Sequence, residues 1–283
     1  MKTNISIKIQ EEFLKVMSGI TFSQVPDNFG EMVKDLKLDL IIPLNEDAAP
    51  RPLIIWVIGG AWMTVNRGKF LSELTPFAKA GYAVASIEYR VSGEEIFPAQ
   101  IIDVKSAIRY LRHNAAKYRL DPDHFYIMCE SAGGHLAALA AAASDMPAWE
   151  QGWYTDVSSE VQGCVDLYGV IDFLHQPLYP VPEMFHDLKS EELLIGVVIA
   201  DHIAEAEALN PLTYVSEKTP PFLIFHGLED PVVPYRQSIT LYEGLCSRGV
   251  PADLYLVEEA GHADPRFYQA QTREMILEFL QKL

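Results

Sequence analysis

Apolar residues fall along this chain in two rhythms, short continuous runs and longer amphipathic stretches, which take turns for most of its length. Residues 53–58, Leu-Ile-Ile-Trp-Val-Ile, are an unbroken apolar run entered from Pro50 and Pro52 and left through Gly59-Gly60-Ala61-Trp62. A run without a polar position suits a strand buried on both faces, as in a parallel sheet. Residues 82–87, 125–128, 161–167, 222–226 and 252–257 read as further strands. Helical spacing appears over 72–80, which ends at Gly81 as a C-cap, and over 98–118, where Ile101, Val104, Ile108 and Leu111 recur on one face. It returns over 235–247 and 266–283. The alternation predicts the α/β class, with a mostly parallel central sheet and helices on both faces.

The flanks depart from this rhythm. Residues 11–17 read as a short amphipathic helix, followed by a loop broken at Pro26 and Gly30. Over 32–42 the apolar positions Leu36, Leu38 and Leu40 alternate with Lys37 and Asp39, which predicts an edge strand with one wet face. Residues 171–215 hold Pro177, Pro180 and Pro182, three histidines (His175, His186, His202) and a helix over 191–209. That stretch is too short for a core of its own, so it reads as a cap inserted over a cleft, within a single domain spanning 1–283.

Composition removes several classes of partner. The 283 residues carry 39 acidic against 22 basic side chains, a net charge of -17, which disfavours nucleic acid and anionic membrane surfaces as partners. Cys129, Cys164 and Cys246 are too few and too scattered for a disulfide framework or a zinc cage. Residues 1–20 mix charges among the apolar positions, without a signal-peptide core, and no later run reaches membrane-spanning length; a soluble, cytoplasmic protein is the expectation. The pattern leaves the oligomeric state open.

The candidate chemistry centres on Cys129-Glu130-Ser131-Ala132-Gly133-Gly134-His135, where an apolar strand runs without a spacer into an alanine- and leucine-rich helix. A serine at such a turn has its hydroxyl pushed out beyond the sheet edge, and the glycines let strand and helix approach closely. The N–H of Ala132, at the positive end of the helix, would face an oxyanion formed on a carbonyl attacked by Ser131. Ser131 is equally compatible with a plain helix N-cap. A serine nucleophile needs a base and the base needs an orienting acid. Two later loops hold them: His226-Gly227-Leu228-Glu229-Asp230-Pro231 and Ala260-Gly261-His262. Glu229 is the alternative to Asp230. His135 reads as a structural hydrogen bonder, His226 as a brace for the Asp230 turn, and Cys129 as a rival nucleophile.

From about residue 32 to the C-terminus the chain resembles an α/β-hydrolase. The resemblance rests on residues 53–62, similar to a His-Gly-Gly-x-Trp oxyanion strand, on Glu88-Tyr89-Arg90 with the 98–118 helix, on the Ser-Ala-Gly-Gly-His-Leu run at 131–136, and on the His-Gly-x-x-Asp-x-x-Val-Pro run at 226–234. It is most similar to the acetylesterase and feruloyl-esterase-like (BD-FAE-like) branch, related to hormone-sensitive-lipase and arylformamidase groups. The resemblance implies Ser131 as nucleophile, His262 as general base and Asp230 as its orienting acid, with oxyanion donors from Ala132 and one or both of Gly60 and Ala61. It implies a carboxylesterase acting on small to medium acyl esters, acetylated or feruloylated carbohydrates among them, through an acyl-enzyme and with neither a metal nor an organic cofactor. An arylformamidase-like amidase is the alternative, and a non-catalytic ligand-binding homologue a further one. Trp62 and Tyr89 are the candidate substrate contacts; Phe70, Phe173, Tyr179 and Phe185 are weaker ones. Ile58 stands where the oxyanion motif carries His, which removes a side-chain brace from that loop, and Cys129 stands where the elbow carries Gly.

Overall fold

The apolar runs become the middle of one sheet. The computed structural model describes residues 2–8, 13–27, 30–44, 49–144, 146–175 and 189–283. Among them are eight strands: β1 (Leu14–Pro26), β2 (Val33–Pro43), β3 (Arg51–Val57), β4 (Ala83–Ile87), β5 (Leu120–Glu130), β6 (Gly163–Leu167), β7 (Phe222–Gly227) and β8 (Ala252–Val257). Their spatial order is β1-β2-β4-β3-β5-β6-β7-β8. All pairs from β4 across to β8 are parallel, whereas β1–β2 and β2–β4 are antiparallel.

Helices α1 (Leu71–Lys79) and α8 (Ala270–Leu280) cover one face of the sheet, packing Leu74, Phe77, Ile276 and Leu280 against Ile54, Trp56, Met128 and Val165. Helices α2 (Ala99–His113), α4 (Ala132–Ala142) and α7 (Arg236–Ser247) cover the other, over Leu53, Ile55, Val57, Phe125 and Ile127. Each fully buried aliphatic side chain contributes roughly 2 kcal/mol relative to an exposed one, so the continuous runs of β3 and β4 act as the anchor of both layers. Every residue of α4 is buried, which is why its sequence has no polar face. The short α3 (Ala115–Tyr118) follows α2.

Three expectations at the flanks are corrected. Residues 14–17, read as part of a helix, belong to β1, whose alternation is hidden by register shifts between Met17 and Ile20 and between Thr21 and Ser23. Because β1 pairs with β2, the 32–42 segment is an inner strand and β1 forms the edge. The face of β2 expected to be wet is in fact covered at Asp39, which accepts from Ser18 Oγ at 2.6 Å and pairs with Arg67. The single helix expected over 191–209 is divided into α5 (Ser190–Ile195), a 3-10 turn at Ile199–Asp201 and α6 (Ile203–Glu207), because Gly196 closes α5 in the left-handed conformation at φ 74°. Pro177, Tyr179, Pro180, Pro182, Phe185 and His186 lie outside the described residues. No described helix is long and apolar enough to cross a membrane.

The topology dictates where a ligand can enter. After β3 the chain crosses to β4 on one side, then returns to place β5 on the other side of β3. The connections leaving β3 and β5 therefore diverge, and their carboxyl ends are the switch point of the sheet, where open α/β sheets bind their ligands.

Candidate active site

Ser131 sits at that switch point, between the last residue of β5 and the first of α4. Its backbone adopts φ 55° and ψ -125°, a strained conformation for a residue with a side chain. The strain is held from both sides. Ser131 N–H donates to Leu167 O on β6 at 3.0 Å, and α4 is drawn against the sheet at Gly133 and Gly134. A Cβ on Gly133 would overlap the Val57 carbonyl oxygen, and one on Gly134 would meet Asp166 Oδ1 and Gly169 Cα. The glycines after the serine are thus required by close approach, as the elbow reading expects.

The loops after β7 and β8 converge on the same edge. Glu229 N–H donates to Ala260 O at 3.0 Å and Leu228 N–H to Val257 O at 3.0 Å, which ties the two loops together. The result is a continuous line of side chains. His262 Nε2 lies 2.9 Å from Ser131 Oγ, and His262 Nδ1 lies 2.7 Å from Asp230 Oδ2. Asp230 is fixed in turn: Oδ1 accepts from Val232 N–H at 2.7 Å and from Val233 N–H at 2.8 Å. Burial works to raise its pKa, but hydrogen bonds from His226, His262 and the Val233 amide outweigh it and hold the carboxyl well below the usual range. An ionised Asp230 makes Nδ1 of His262 the protonated nitrogen, leaving the lone pair of Nε2 for the Ser131 hydroxyl proton.

The other sequence candidates separate cleanly. His226 braces the acid loop, with Nε2 donating to Val233 O at 2.8 Å and Nδ1 paired with Ser238 Oγ at 2.6 Å. Glu229 stays at the surface and Asp230 makes the contact to the histidine. His135 points away from Ser131 into the layer behind α4, donating from Nε2 to Leu209 O at 2.8 Å, and burial pushes its pKa down to about 4. Cys129 is fully buried, its thiol donating to Val165 O at 3.1 Å, and burial pushes that thiol well up, the reverse of what a thiolate nucleophile needs.

The loop after β3 holds Gly60 and Ala61, the residues expected as oxyanion donors. Gly60 (φ 136°), Ala61 (φ 52°) and Trp62 (φ 57°) take three successive positive φ values, and the turn closes with Met63 N–H and Thr64 N–H on Gly60 O. Three successive positive φ values keep this stretch out of the strand ladder. Ala132 N–H, first of α4, has no carbonyl within its own helix to donate to. Behind the loop stand two residues whose part in it was not legible in the sequence. Tyr89, expected to touch substrate, is fully buried and donates its hydroxyl to Ile58 O at 2.9 Å. Glu130 accepts from Gly59 N–H at 2.6 Å. Trp62 is also enclosed, packed edge-on to His135 at 5.4 Å and beside Phe173 at 5.5 Å. Phe70 stacks on Tyr268 instead, at 5.0 Å. One wall of the histidine is Tyr168, whose ring meets that of His262 edge-on at 4.9 Å.

A parallel sheet with this crossover order, and a serine elbow, a histidine and an acid loop at its carboxyl edge, define an α/β-hydrolase. Within that class the BD-FAE family model matches residues 38–245, and the chain belongs to that family. Esterase LipQ of Mycobacterium tuberculosis is 35% identical over 228 residues, which cover 77% of this chain and 52% of that protein. The chain spans about half the length of the curated relatives it matches. Among solved structures, a truncated carbohydrate esterase from gut microbiota superposes with a TM-score of 0.81 at 29% identity, covering 97% of this chain and 98% of that one. Est2, a thermophilic esterase of Thermogutta terrifontis, superposes with a TM-score of 0.74 at 26% identity, covering 96% and 92%.

Proposed function

We propose that this chain is a serine carboxylesterase that hydrolyses small to medium acyl esters, with acylated carbohydrates as its foremost substrate class. The observation that carries the reading is the unbroken line from Ser131 Oγ through His262 to Asp230, at 2.9 and 2.7 Å. In the first half-reaction His262 Nε2 takes the Ser131 proton as Oγ bonds to the ester carbonyl carbon. The electron pair moves to the carbonyl oxygen, and the amides of Gly60, Ala61 and Ala132 are the donors for that developing charge. Asp230 holds the imidazolium and its orientation. Collapse of the intermediate breaks the bond to the alcohol, which leaves with the proton from Nε2. Water then repeats the sequence on the acyl-enzyme: Nε2 takes its proton, hydroxide adds to the acyl carbon, and the acid is released as Ser131 recovers its hydrogen.

The carbohydrate assignment rests on the likeness, over 97% of this chain, to a truncated gut-microbial carbohydrate esterase. Residues 171–215 serve in this reading as a cap within one domain. That role is supported by Phe173 packing on Trp62, which joins the insertion to the loop after β3, while the His135 bond to Leu209 O ties it to α4. A cytoplasmic setting accords with three free thiols. The test is turnover of 4-nitrophenyl acetate and of an acetylated xylo-oligosaccharide by wild type and Ser131→Ala. Wild-type activity and a loss of roughly 10³-fold or more in the variant are expected. Ordinary activity in Ser131→Ala, or activity confined to an aryl formamide, would overturn the assignment.

A further inference from the structure

We propose that Glu130 is a positioning residue: its carboxylate clamps the loop of proposed oxyanion donors to the end of the strand that presents Ser131. The inference rests on the esterase reading and concerns what holds Gly60 and Ala61 in place. Among the described residues no side chain of the loop's own holds it by a hydrogen bond: the Trp62 ring packs on His135 and Phe173 and its Nε1 is unpartnered. Ile58 offers no polar group, and the loop runs through three positive-φ residues that ordinary side chains avoid. Such a backbone persists only where its surroundings over-determine it. Glu130 supplies the contact, since its Oε1 accepts from Gly59 N–H at 2.6 Å across 71 residues of sequence.

The fit leaves no slack. A Cβ built on Gly59 would stand 2.6 Å from Glu130 Oε1 and 2.8 Å from the Glu130 carbonyl oxygen, so loop and strand end touch at a position only glycine can fill. Tyr89 closes the same junction from the next carbonyl, at Ile58 O. Gly59 is therefore pinned one residue before Gly60 and two before Ala61. A buried carboxylate next to a nucleophile is an unfavourable choice unless it has such a duty. Burial pushes its pKa up, and the Gly59 amide, Lys69, His262 and the Tyr168 hydroxyl pull it back. Burial, with the charge of Glu130 adding to it, raises the pKa of the Tyr89 and Tyr268 hydroxyls.

Two substitutions separate the acceptor from the charge. Glu130→Gln keeps an oxygen for Gly59 N–H and removes the charge, while Glu130→Met fills the space with no strong acceptor. Loss of alignment at one oxyanion donor lowers kcat by roughly 10²-fold. The expected result is kcat on 4-nitrophenyl acetate within about threefold of wild type for Glu130→Gln, and a fall of roughly 10²-fold for Glu130→Met, with KM little changed in both. Amide hydrogen exchange over residues 58–62 should be faster in Glu130→Met and like wild type in Glu130→Gln. Unchanged kcat and exchange in Glu130→Met, or equal impairment of both variants, would overturn the proposal. If Glu130→Met fails to fold, Glu130→Ala takes its place, with the same two outcomes. Failure of the esterase reading itself would appear separately, as an active Ser131→Ala, and the exchange comparison would then decide the role of Glu130 alone.

Discussion

Asp230→Asn should damage this site more than deletion of the same side chain, and the hydrogen bonds say why. In the native loop Oδ1 accepts from two backbone amides, of Val232 and Val233, at 2.7 and 2.8 Å, while Oδ2 faces His262 Nδ1 at 2.7 Å. An asparagine must keep its one oxygen on the two amides, so its NH₂ group is turned toward the histidine. His226 Nε2, which lies 3.4 Å from Oδ2, then meets a donor as well. Facing a donor, His262 Nδ1 becomes an acceptor and its proton moves to Nε2. That nitrogen can no longer take the Ser131 proton. Trapping the wrong tautomer costs roughly 10⁴-fold in kcat, or about 5.5 kcal/mol, on the scale measured for the same change in a serine protease triad. Asp230→Ala leaves Nδ1 free to keep its proton with water as acceptor, so it should retain more activity than the isosteric variant. The assay is kcat and KM on 4-nitrophenyl acetate for both variants, with thermal unfolding to check the fold. Activity in Asp230→Asn within tenfold of wild type, or above that of Asp230→Ala, would refute the tautomer argument.

Other perturbations follow from the packing around the elbow. Asp166 is fully buried beneath it with Oδ2 unpartnered, and burial pushes its pKa up to about 6 from 3.8. The unfolded chain therefore ionises first as pH rises, and a native-state penalty grows between about pH 4 and pH 6, reaching ~3 kcal/mol and staying level above. Asp166→Asn should become more stable than wild type over that interval in urea unfolding, and a gap independent of pH would contradict the assignment. Gly133→Ala should abolish activity and lower the unfolding temperature by several degrees, because the new methyl overlaps the Val57 carbonyl oxygen; a variant of normal stability would mean that α4 can move away.

The sequence was most informative where one local rule decided the outcome. Continuous apolar runs at 53–58 and 82–87 mark strands buried on both faces, and such burial is what a parallel sheet demands. The order of Ser131, Asp230 and His262 was legible because each follows a strand that reads clearly. Local rules failed where pairing decided. Strand β1 has its period of two broken by two register shifts, so the 11–17 stretch mimics a helix, and β2 then passes for an edge. Gly196 gave a signal that could have divided the 191–209 helix, since a glycine within a helical pattern is a candidate C-cap. Tyr89 and Glu130 could not be assigned from spacing at all. Their partners, Ile58 O and Gly59 N–H, are 31 and 71 residues distant and come within reach only when β3, β4 and β5 lie side by side.

The most direct measurement is covalent capture of the nucleophile: incubation with a fluorophosphonate probe, digestion, and mass spectrometry of the peptide spanning residues 125–143. Stoichiometric labelling at Ser131, with loss of esterase turnover in proportion, is the predicted result. A probe bound elsewhere, or turnover that survives full labelling of Ser131, would contradict it.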